Sequence, residues 1–501
     1  MDTTRRSGLL LHVSSLPGPY GRGDLGPEAR RFVDFLAAAG QRVWQVLPLG
    51  PPGWGGSPYA AASAFAGDPG LLSLDDLVAT GLLGPDDLAG AAFPPGRVSP
   101  EADAWRRARL ERAYEAFRRD ADAEERAAFA AFRAREDFWL EDAALFAALK
   151  EAHGGGAFWE AWPDRLARHR PRAVRRAREE YAPACEREAF WQYLFARQWE
   201  ALREHARACG VEVFGDVPIF VARDSADVWA RPELFELGPD GAPTAVAGVP
   251  PDDFSEDGQL WGNPLYDVRV HARTAYAWWI ERFRRAFELF DLVRVDHFRG
   301  FAAWWAVPAG AATAREGAWR PGHGLPLFEA VAEELGLEHP RALPVVAEDL
   351  GVITEDVEEL LAATGFPGMR ILQFAFGEDD PAHPFLPENH PVRSVVYTGT
   401  HDNQTAAGWF AGLDPAARAR VRARIGDADP AWGLVELALG SPAFLAVVPA
   451  QDVLGLGDEA RLNTPGRAEG NWSWRLLPGQ LGAPEAERLR AASAAHGRRT
   501  P

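Results

Sequence analysis

Eight short apolar runs, spread over the whole length of the chain, constrain the fold more than any other feature of the sequence. Each run has the length and composition of a buried β-strand, and most are separated by patterns with helical periodicity. This alternation predicts a parallel sheet of class α/β, and eight such units predict a (β/α)8 TIM barrel; a doubly wound sheet is the alternative. The predicted strands start near residues 8, 43, 212, 292, 344, 369, 394 and 444, and the two longest runs are 211–221 and 369–376.

Three of these runs end in acidic residues. The segment LVRVDHFRG (292–300) delivers Asp296, PVVAEDLG (344–351) delivers Glu348, and SVVYTGTHDN (394–403) delivers Asp402. The carboxyl ends of parallel barrel strands lie at one end of the barrel, where catalytic sites are built. We therefore expect the three carboxyl groups to converge on one pocket.

Three carboxyl groups without a thiol partner support two chemistries. They could hold a metal ion, or two of them could flank a glycosidic bond as nucleophile and general acid/base while the third assists. Arg294 lies two residues before Asp296 and so faces the same side of the strand. A guanidinium there would keep Asp296 ionised and would oppose a bound cation. Arg294 therefore favours cleavage of a glycosidic bond without a metal ion.

The composition excludes several classes of protein. A formal net charge of −19 argues against a nucleic-acid partner or an anionic membrane surface, and no apolar run is long enough to span a bilayer. Lys150 is the only lysine and lies in a helical pattern, which excludes PLP enzymes and P-loop NTPases. Cys185 and Cys209 are the only cysteines and the N-terminus is not a signal peptide, so we expect a cytoplasmic protein.

The chain is predicted to form one catalytic domain over residues 1–501. The Ala-, Arg- and Glu-rich stretch from about 71 to 198 predicts a helical insertion between the second and third barrel strands. Its basic run at 165–178 is interleaved with alanine and is interpreted as a solvated helix face. The Pro- and Gly-rich stretch from about 238 to 266 is too long for a simple connection, which predicts an active-site loop.

The order of the motifs along the chain resembles that of the amylomaltases, the 4-α-glucanotransferases of the wider α-amylase superfamily. The similar segments run nearly end to end: SLPGPYG, SPYAAASAFAGDP, GDVPIFV, GVPPDDFSEDGQLWGNPLY, RVDHFRG, AEDLG, GFPGMRILQFAF, YTGTHDN and NTPGRAEGNWSWR. The resemblance implies a (β/α)8 barrel with inserted, largely helical subdomains and no separate C-terminal β-domain.

The resemblance also implies roles for the three carboxyl groups. Asp296 would be the nucleophile that forms a glucosyl-enzyme, Glu348 the general acid/base, and Asp402 the carboxylate that stabilises the transition state through the sugar hydroxyls. For Asp349, which faces away from its neighbour Glu348, pairing with an arginine or capping a helix is the better interpretation.

Further positions would bind the substrate, and no cofactor is implied. The implied binding residues are Tyr59, Asp252, Phe254, Gln259, Trp261, Asn263, Arg294, His401 and Asn471, with Asp216, Phe374 and Glu378 as weaker assignments. Trp54, Gly56 and Gln404 depart from the usual family pattern, in which an acid precedes the SPY segment, a tyrosine stands in that loop and THDNDT follows strand seven. These departures lie outside the three carboxylates, so they leave the reaction intact but concern any secondary glucan-binding site and the acceptor preference.

The function implied is transfer of α-1,4-glucan segments between maltooligosaccharides by a retaining double displacement. A hydrolase of the same superfamily and a catalytically silent glucan-binding protein are the alternatives. The long loop and the GNWSWR segment favour transfer because they would shield a covalent intermediate from water. The expected partners are maltooligosaccharides and α-1,4-glucans, with neither nucleic acid nor membrane, and the expected state is a monomer or weak dimer.

Overall fold

The computed structural model describes residues 3–251, 255–467 and 469–498. Twelve strands lie in these ranges. They are β1 (Arg6–Leu10), β2 (Val43–Gln45), β3 (Glu212–Val217), β4 (Ala245–Val249), β5 (Gln259–Pro264), β6 (Leu292–Val295), β7 (Ala303–Pro308), β8 (Ala318–Pro321), β9 (Val345–Ala347), β10 (Gly368–Ile371), β11 (Ser394–Tyr397) and β12 (Leu445–Pro449).

Eight of the strands form one parallel sheet in the order β10-β11-β12-β1-β2-β3-β6-β9. The amide of Ala347, the last residue of β9, donates to the carbonyl of Pro367 just before β10 at 2.9 Å, which joins the two ends of this order. The sheet is therefore a barrel, and the predicted (β/α)8 fold is confirmed.

The two longest predicted runs are shorter as strands than the sequence indicated. β3 ends at Val217 because Pro218 has no amide to donate to a neighbouring strand. β10 ends at Ile371, and the rest of the predicted run, Leu372–Phe376, is a 3₁₀ turn. Most residues of both runs remain buried beyond the strand, so apolar composition alone could not mark where strand pairing stops.

Twenty α-helices lie in the described residues. They are α1 (Pro27–Ala38), α2 (Leu74–Ala79), α3 (Pro100–Asp120), α4 (Ala123–Arg135), α5 (Leu140–Ala152), α6 (Phe158–Ala161), α7 (Asp164–Ala167), α8 (Pro171–Glu180), α9 (Ala182–Ala208), α10 (Ala226–Ala230), α11 (Val268–Arg273), α12 (Ala277–Leu289), α13 (Arg299–Ala302), α14 (Leu325–Glu334), α15 (Glu355–Thr364), α16 (Ala406–Gly412), α17 (Pro415–Ile425), α18 (Pro430–Gly440), α19 (Ala450–Val453) and α20 (Ala483–Ala495). Short 3₁₀ turns cover Val13–Ser15, Trp54–Gly56, Pro58–Ala60, Pro69–Leu71, Pro85–Leu88, Pro232–Leu234, Ala314–Glu316, Pro340–Ala342, Leu372–Phe376, Pro387–Asn389 and Asp458–Ala460. No helix in the described ranges is both long and apolar enough for a membrane span.

Helices α2 to α9 lie between β2 and β3. The last of them, α9, is continuous over 27 residues and leads directly into β3. Its apolar stripe, which includes Trp191, Phe195 and Trp199, is buried, as the helical spacing of these residues predicts. This one helix thus packs against the other helices of the segment and also against the barrel strand β3.

The stretch 238–266, predicted as a loop, contains strands β4 and β5. These join β7 and β8 in a four-stranded antiparallel sheet of order β5-β4-β7-β8. Its outer members are exposed along much of their length, so they lack the continuous apolar pattern of the barrel strands. The prediction of an irregular loop was wrong for these strands. β5 pairs with β4, and β4 also pairs with β7, which lies far along the chain, so the local sequence does not show this sheet.

The barrel interior has its own apolar core. Side chains from the barrel strands, such as Leu10, Val43, Phe214, Met369 and Val395, form a cluster separate from the larger core around the barrel. Alternate strand residues point to these two cores, as parallel strands covered on both faces require. The packed interior leaves the strand ends as the place for a site.

Candidate active site

Arg294 and Asp296 lie on the same side of β6 and its exit. One nitrogen of the Arg294 guanidinium lies 2.7 Å from Oδ1 of Asp296, and another lies 2.7 Å from Oδ2 of Asp216 at the end of β3. The hydroxyl of Tyr59 donates to the same Oδ2 at 2.8 Å. Burial raises the pKa of Asp216, while Arg294 and Tyr59 favour its charged form. The buried guanidinium is therefore shared by two carboxyl groups.

Asp296 and Glu348 leave neighbouring strands at the same level. Val295 pairs with Ala347 in the parallel β6–β9 ladder, and the two acids are the next residues in their chains. His297, which follows Asp296, has φ of 49°, and its amide donates to Oε2 of Glu348 at 2.8 Å. The left-handed conformation of His297 thus directs its amide, just after β6, towards the carboxyl group of Glu348, just after β9.

The carboxyl group of Glu348 is held by the backbone. The amide of Leu350 donates to Oε1 at 2.8 Å, in addition to the His297 amide on Oε2. Burial raises the pKa of Glu348 to about 7, against the opposing effect of Arg294 and with a further increase from the negative charge of Asp296. The group can therefore carry or release a proton near neutral pH.

Asp402 follows β11 and is more open to solvent than the other two acids. Nδ2 of Asn463 donates to its Oδ1 at 2.6 Å, and Nε2 of His401 lies 3.3 Å from the same oxygen. Burial lowers the pKa of His401, so the imidazole is neutral at neutral pH. With its second oxygen not taken by these contacts, Asp402 can accept hydrogen bonds from a ligand.

Tyr59, His401 and Trp472 form an aromatic cluster around the acids. The rings of Tyr59 and His401 are stacked with centroids 5.0 Å apart, and Trp472 lies 5.9 Å from Tyr59 and 6.0 Å from His401. Trp472 has φ of 61°, an uncommon conformation for a residue with a side chain. Sequence reasoning singled out the GNWSWR segment but missed Trp472 itself.

The residues of β5 lie beside His297, the residue that follows Asp296. Trp261 packs edge-on against the His297 ring at 4.7 Å and donates its indole N–H to Oε1 of Gln259 at 3.0 Å. Nδ2 of Asn263 donates to the carbonyl of Val221 beyond β3. Trp261 is 39% exposed, which leaves one face of the indole free for a ligand. Asp252 and Phe254, expected in this wall, lie outside the described residues.

Four other residues considered from the sequence have different surroundings. The amide of Asn471 is used within its own segment, accepting from the Thr464 amide and donating to the Arg467 carbonyl. Phe374 packs edge-on against Phe385, and Glu378 is exposed. Asp349 pairs with Arg370 at 3.1 Å and accepts from the Met369 amide, which confirms its structural interpretation.

Two residues of the site carry little signal in the sequence. Asn463 orients Asp402, and His12, just beyond β1, is buried near His401 and Arg22. Burial lowers the pKa of His12 to about 3, so it is a neutral neighbour of the aromatic cluster. Asn463 begins the NTPGR motif, which is the one signal that could have pointed to it.

The arrangement combines one carboxylate in an ion pair with one carboxyl group that titrates near neutrality. Two acids in different environments, flanked by stacking surfaces, are the usual means of cleaving a glycosidic bond. A metal ion at the same place would have to displace the guanidinium from between Asp216 and Asp296. The site is therefore suited to acid/base and nucleophilic chemistry on a sugar.

Comparison with known proteins agrees with this chemistry. A family model described as 4-alpha-glucanotransferase matches residues 11–480. The chain is 51% identical to a 4-alpha-glucanotransferase of Thermus thermophilus over 99% of both chains, and 46% identical to one of Synechocystis sp. over 95% of both. The structure is similar to an amylomaltase from Streptococcus agalactiae in complex with acarbose, with a TM-score of 0.95 and 35% identity over 99% of this chain and 100% of the other.

Proposed function

The chain belongs to the 4-alpha-glucanotransferase family, and from that premise we propose how its site transfers an α-1,4-glucan segment from one maltooligosaccharide to another. The proposed route is a retaining double displacement with Asp296 as nucleophile and Glu348 as acid/base. The observation that carries it is the contrast between Asp296, ion-paired at 2.7 Å with Arg294, and Glu348, held by two backbone amides and protonatable near neutrality.

In the first step, Asp296 attacks the anomeric carbon and the bond to the leaving sugar breaks. Glu348 gives its proton to the departing oxygen, so that the leaving sugar is released as a neutral alcohol. The electron pair of the broken bond stays with that oxygen, and the donor segment remains covalently bound to Asp296. We propose a separation of about 5 to 5.5 Å between the two carboxyl groups, as retaining mechanisms require.

In the second step, the 4-hydroxyl of an acceptor sugar attacks the same carbon. Glu348, now ionised, takes the acceptor's proton, and the carboxylate of Asp296 leaves. Two inversions restore the α configuration. The raised pKa of Glu348 supports both halves of this cycle, because a group that titrates near pH 7 is readily found in either state.

We propose that Asp402 and the aromatic cluster hold the sugar at the cleaved bond. Asp402 would accept hydrogen bonds from its hydroxyls, Arg294 and His401 would contact it, and Tyr59 would stack on it. Gln259, Trp261 and Asn263 would line the cleft on the β5 side, with Asp252, Phe254 and Asn471 as further contacts. The relative from Streptococcus agalactiae is in complex with acarbose, which supports the proposal that this chain binds oligosaccharides.

The reaction of maltotriose alone tests the transfer step. We expect release of glucose or maltose together with longer α-1,4-glucans and little gain in total reducing ends. The reason is that a sugar held in the acceptor site has a high effective concentration and displaces water from the intermediate. A steady rise in reducing ends with only shorter sugars would identify a hydrolase, and an unchanged substrate bound one to one would identify a silent binder.

A further inference from the structure

A cysteine, a histidine and an aspartate converge where α1 packs against the C-terminal end of α9. His205 and Cys209 are four residues apart, so their side chains project from the same side of α9. Asp34 reaches them from α1. Nε2 of His205 lies 2.8 Å from Oδ1 of Asp34, and Sγ of Cys209 lies 3.8 Å from that oxygen and 3.9 Å from Nε2.

These distances fit three corners of a tetrahedral zinc site. With Zn–S near 2.3 Å and Zn–N and Zn–O near 2.0 to 2.1 Å, tetrahedral angles place sulfur about 3.5 Å from nitrogen or oxygen, and nitrogen about 3.3 Å from oxygen. The observed separations differ from these by about half an ångström or less, within reach of small side-chain rotations. We propose that Asp34, His205 and Cys209 bind a zinc ion, with water as the fourth ligand.

The donor set and its surroundings favour this ion. Thiolate and imidazole ligands select zinc over calcium or magnesium. Within the described part of the chain, no arginine or lysine forms an ion pair with Asp34, in contrast to Asp296 and Asp216 in the active site. The negative end of the α9 dipole also faces the cluster. The Asp34 side chain is 58% exposed, which leaves the fourth position open to water.

The position of the cluster indicates a structural role. α1 ends shortly before β2 begins, and α9 ends shortly before β3 begins, so the cluster lies at the end of the barrel where strands start. The acids of the reaction lie at the opposite end, where strands finish. A zinc ion here would join α1 to α9 and stabilise the fold without taking part in glucan transfer.

Titration of the untagged full-length protein with Co²⁺, a spectroscopic substitute for Zn²⁺, tests the site. We expect one equivalent to bind with thiolate-to-cobalt charge-transfer absorption, and Zn²⁺ to displace it. Cys209→Ser should remove that absorption and His205→Gln should weaken binding at least tenfold. Cys185→Ser, which removes the chain's other cysteine at the far end of α9, is the matched control and should bind as the wild type does.

Thermal unfolding gives a second readout. Zn²⁺ at about one hundred times its Kd should raise the apparent Tm by about 2 to 3 °C in the wild type and in Cys185→Ser, but not in Cys209→Ser or His205→Gln. Absence of a charge-transfer band in the wild type would overturn the proposal. A band that survives both Cys209→Ser and His205→Gln would overturn it as well, because the metal would then be bound elsewhere.

Discussion

Arg294 gives the carboxyl groups that it contacts an environment different from that of Glu348. Its guanidinium lies 2.7 Å from both Asp296 and Asp216, whereas the hydrogen bonds of Glu348 come from the backbone amides of His297 and Leu350. A full positive charge stabilises a carboxylate more than neutral amide dipoles do. At the scale of single residues, this difference is the basis for assigning the nucleophile and the acid to different side chains.

Replacement of Glu348 by glutamine tests that assignment. With maltotriose, kcat/KM should fall by about 10²- to 10⁴-fold, because the leaving sugar can no longer be protonated. With an α-maltosyl fluoride donor, which needs no proton, the first step should remain fast, and the sugar should accumulate on Asp296 as a mass increase of the intact protein. In the wild type, kcat/KM on maltotriose should fall above about pH 7, where Glu348 releases its proton. This fall should be absent when the wild type acts on the fluoride donor.

Asp349→Asn is the matched control, since it removes a carboxylate one residue away. Asp349 contacts Arg370 and the Met369 amide, so this variant should lose stability but keep the preference among donors. Equal loss of activity towards maltotriose and the fluoride in Glu348→Gln would show that Glu348 is not the acid.

The sequence singled out the three acids because each follows an apolar run within a few residues, a local pattern. It could not predict Trp472 or His12 as neighbours of Tyr59 and His401, because their proximity depends on contacts between distant parts of the chain. For Asn471, the sequence does not show that Thr464 and Arg467, in the same segment, form hydrogen bonds with its amide. Residue type and order identify the chemistry, while tertiary packing decides which neighbours support it.

At the scale of elements, strand exits were predictable and strand pairing outside the barrel was not. The eight barrel strands are parallel and buried, so each has a continuous apolar signal. β4 and β5 are short and partly exposed. β5 pairs with β4, which in turn pairs with β7, far along the chain. Their β-structure depends on that pairing and is therefore weakly encoded in the local sequence.

Close approach of β1 and β2 makes Gly8 necessary for the barrel. A Cβ at this position would lie 2.1 Å from the carbonyl oxygen of Val43, its partner in β2, and a backbone atom cannot move aside cheaply. Gly8→Ala should lower the free energy of unfolding by about 1 to 3 kcal/mol or more, measured by urea denaturation. Gly377→Ala is the control, because a Cβ there meets nothing within 4 Å and the backbone is already helical. Equal stability of the two variants would contradict this account of strand spacing.

At the scale of the whole molecule, we propose separate roles for the two ends of the barrel. Asp296 and Glu348, the proposed nucleophile and acid/base, lie where strands finish, and the Asp34–His205–Cys209 cluster lies where strands begin. The fold class followed from the number and spacing of apolar runs. The cluster could not be found in that way, because Asp34 is far in sequence from the other two residues.

Removal of metal should therefore affect stability but not turnover. After EDTA treatment, kcat on maltotriose at a temperature well below unfolding should stay within about twofold of the untreated value, because Arg294 occupies the place where a catalytic ion would bind. The apparent Tm should fall by the amount that Zn²⁺ restores. Activity that vanished with EDTA and returned with Mg²⁺ or Ca²⁺ would refute the proposed mechanism.

Because α9 is one continuous helix, the helical segment and the barrel are not separate modules. A hinge or a flexible linker normally separates an inserted module from its host, so that the module can be excised or can open independently. Here the same 27-residue helix packs against the helical segment and leads into β3. If the chain were divided before α9, this helix would lose its partners in the helical segment. If it were divided after α9, the barrel would lose a helix that covers it. The amides of α9 should thus exchange with solvent only when both parts open together, as one cooperative unit.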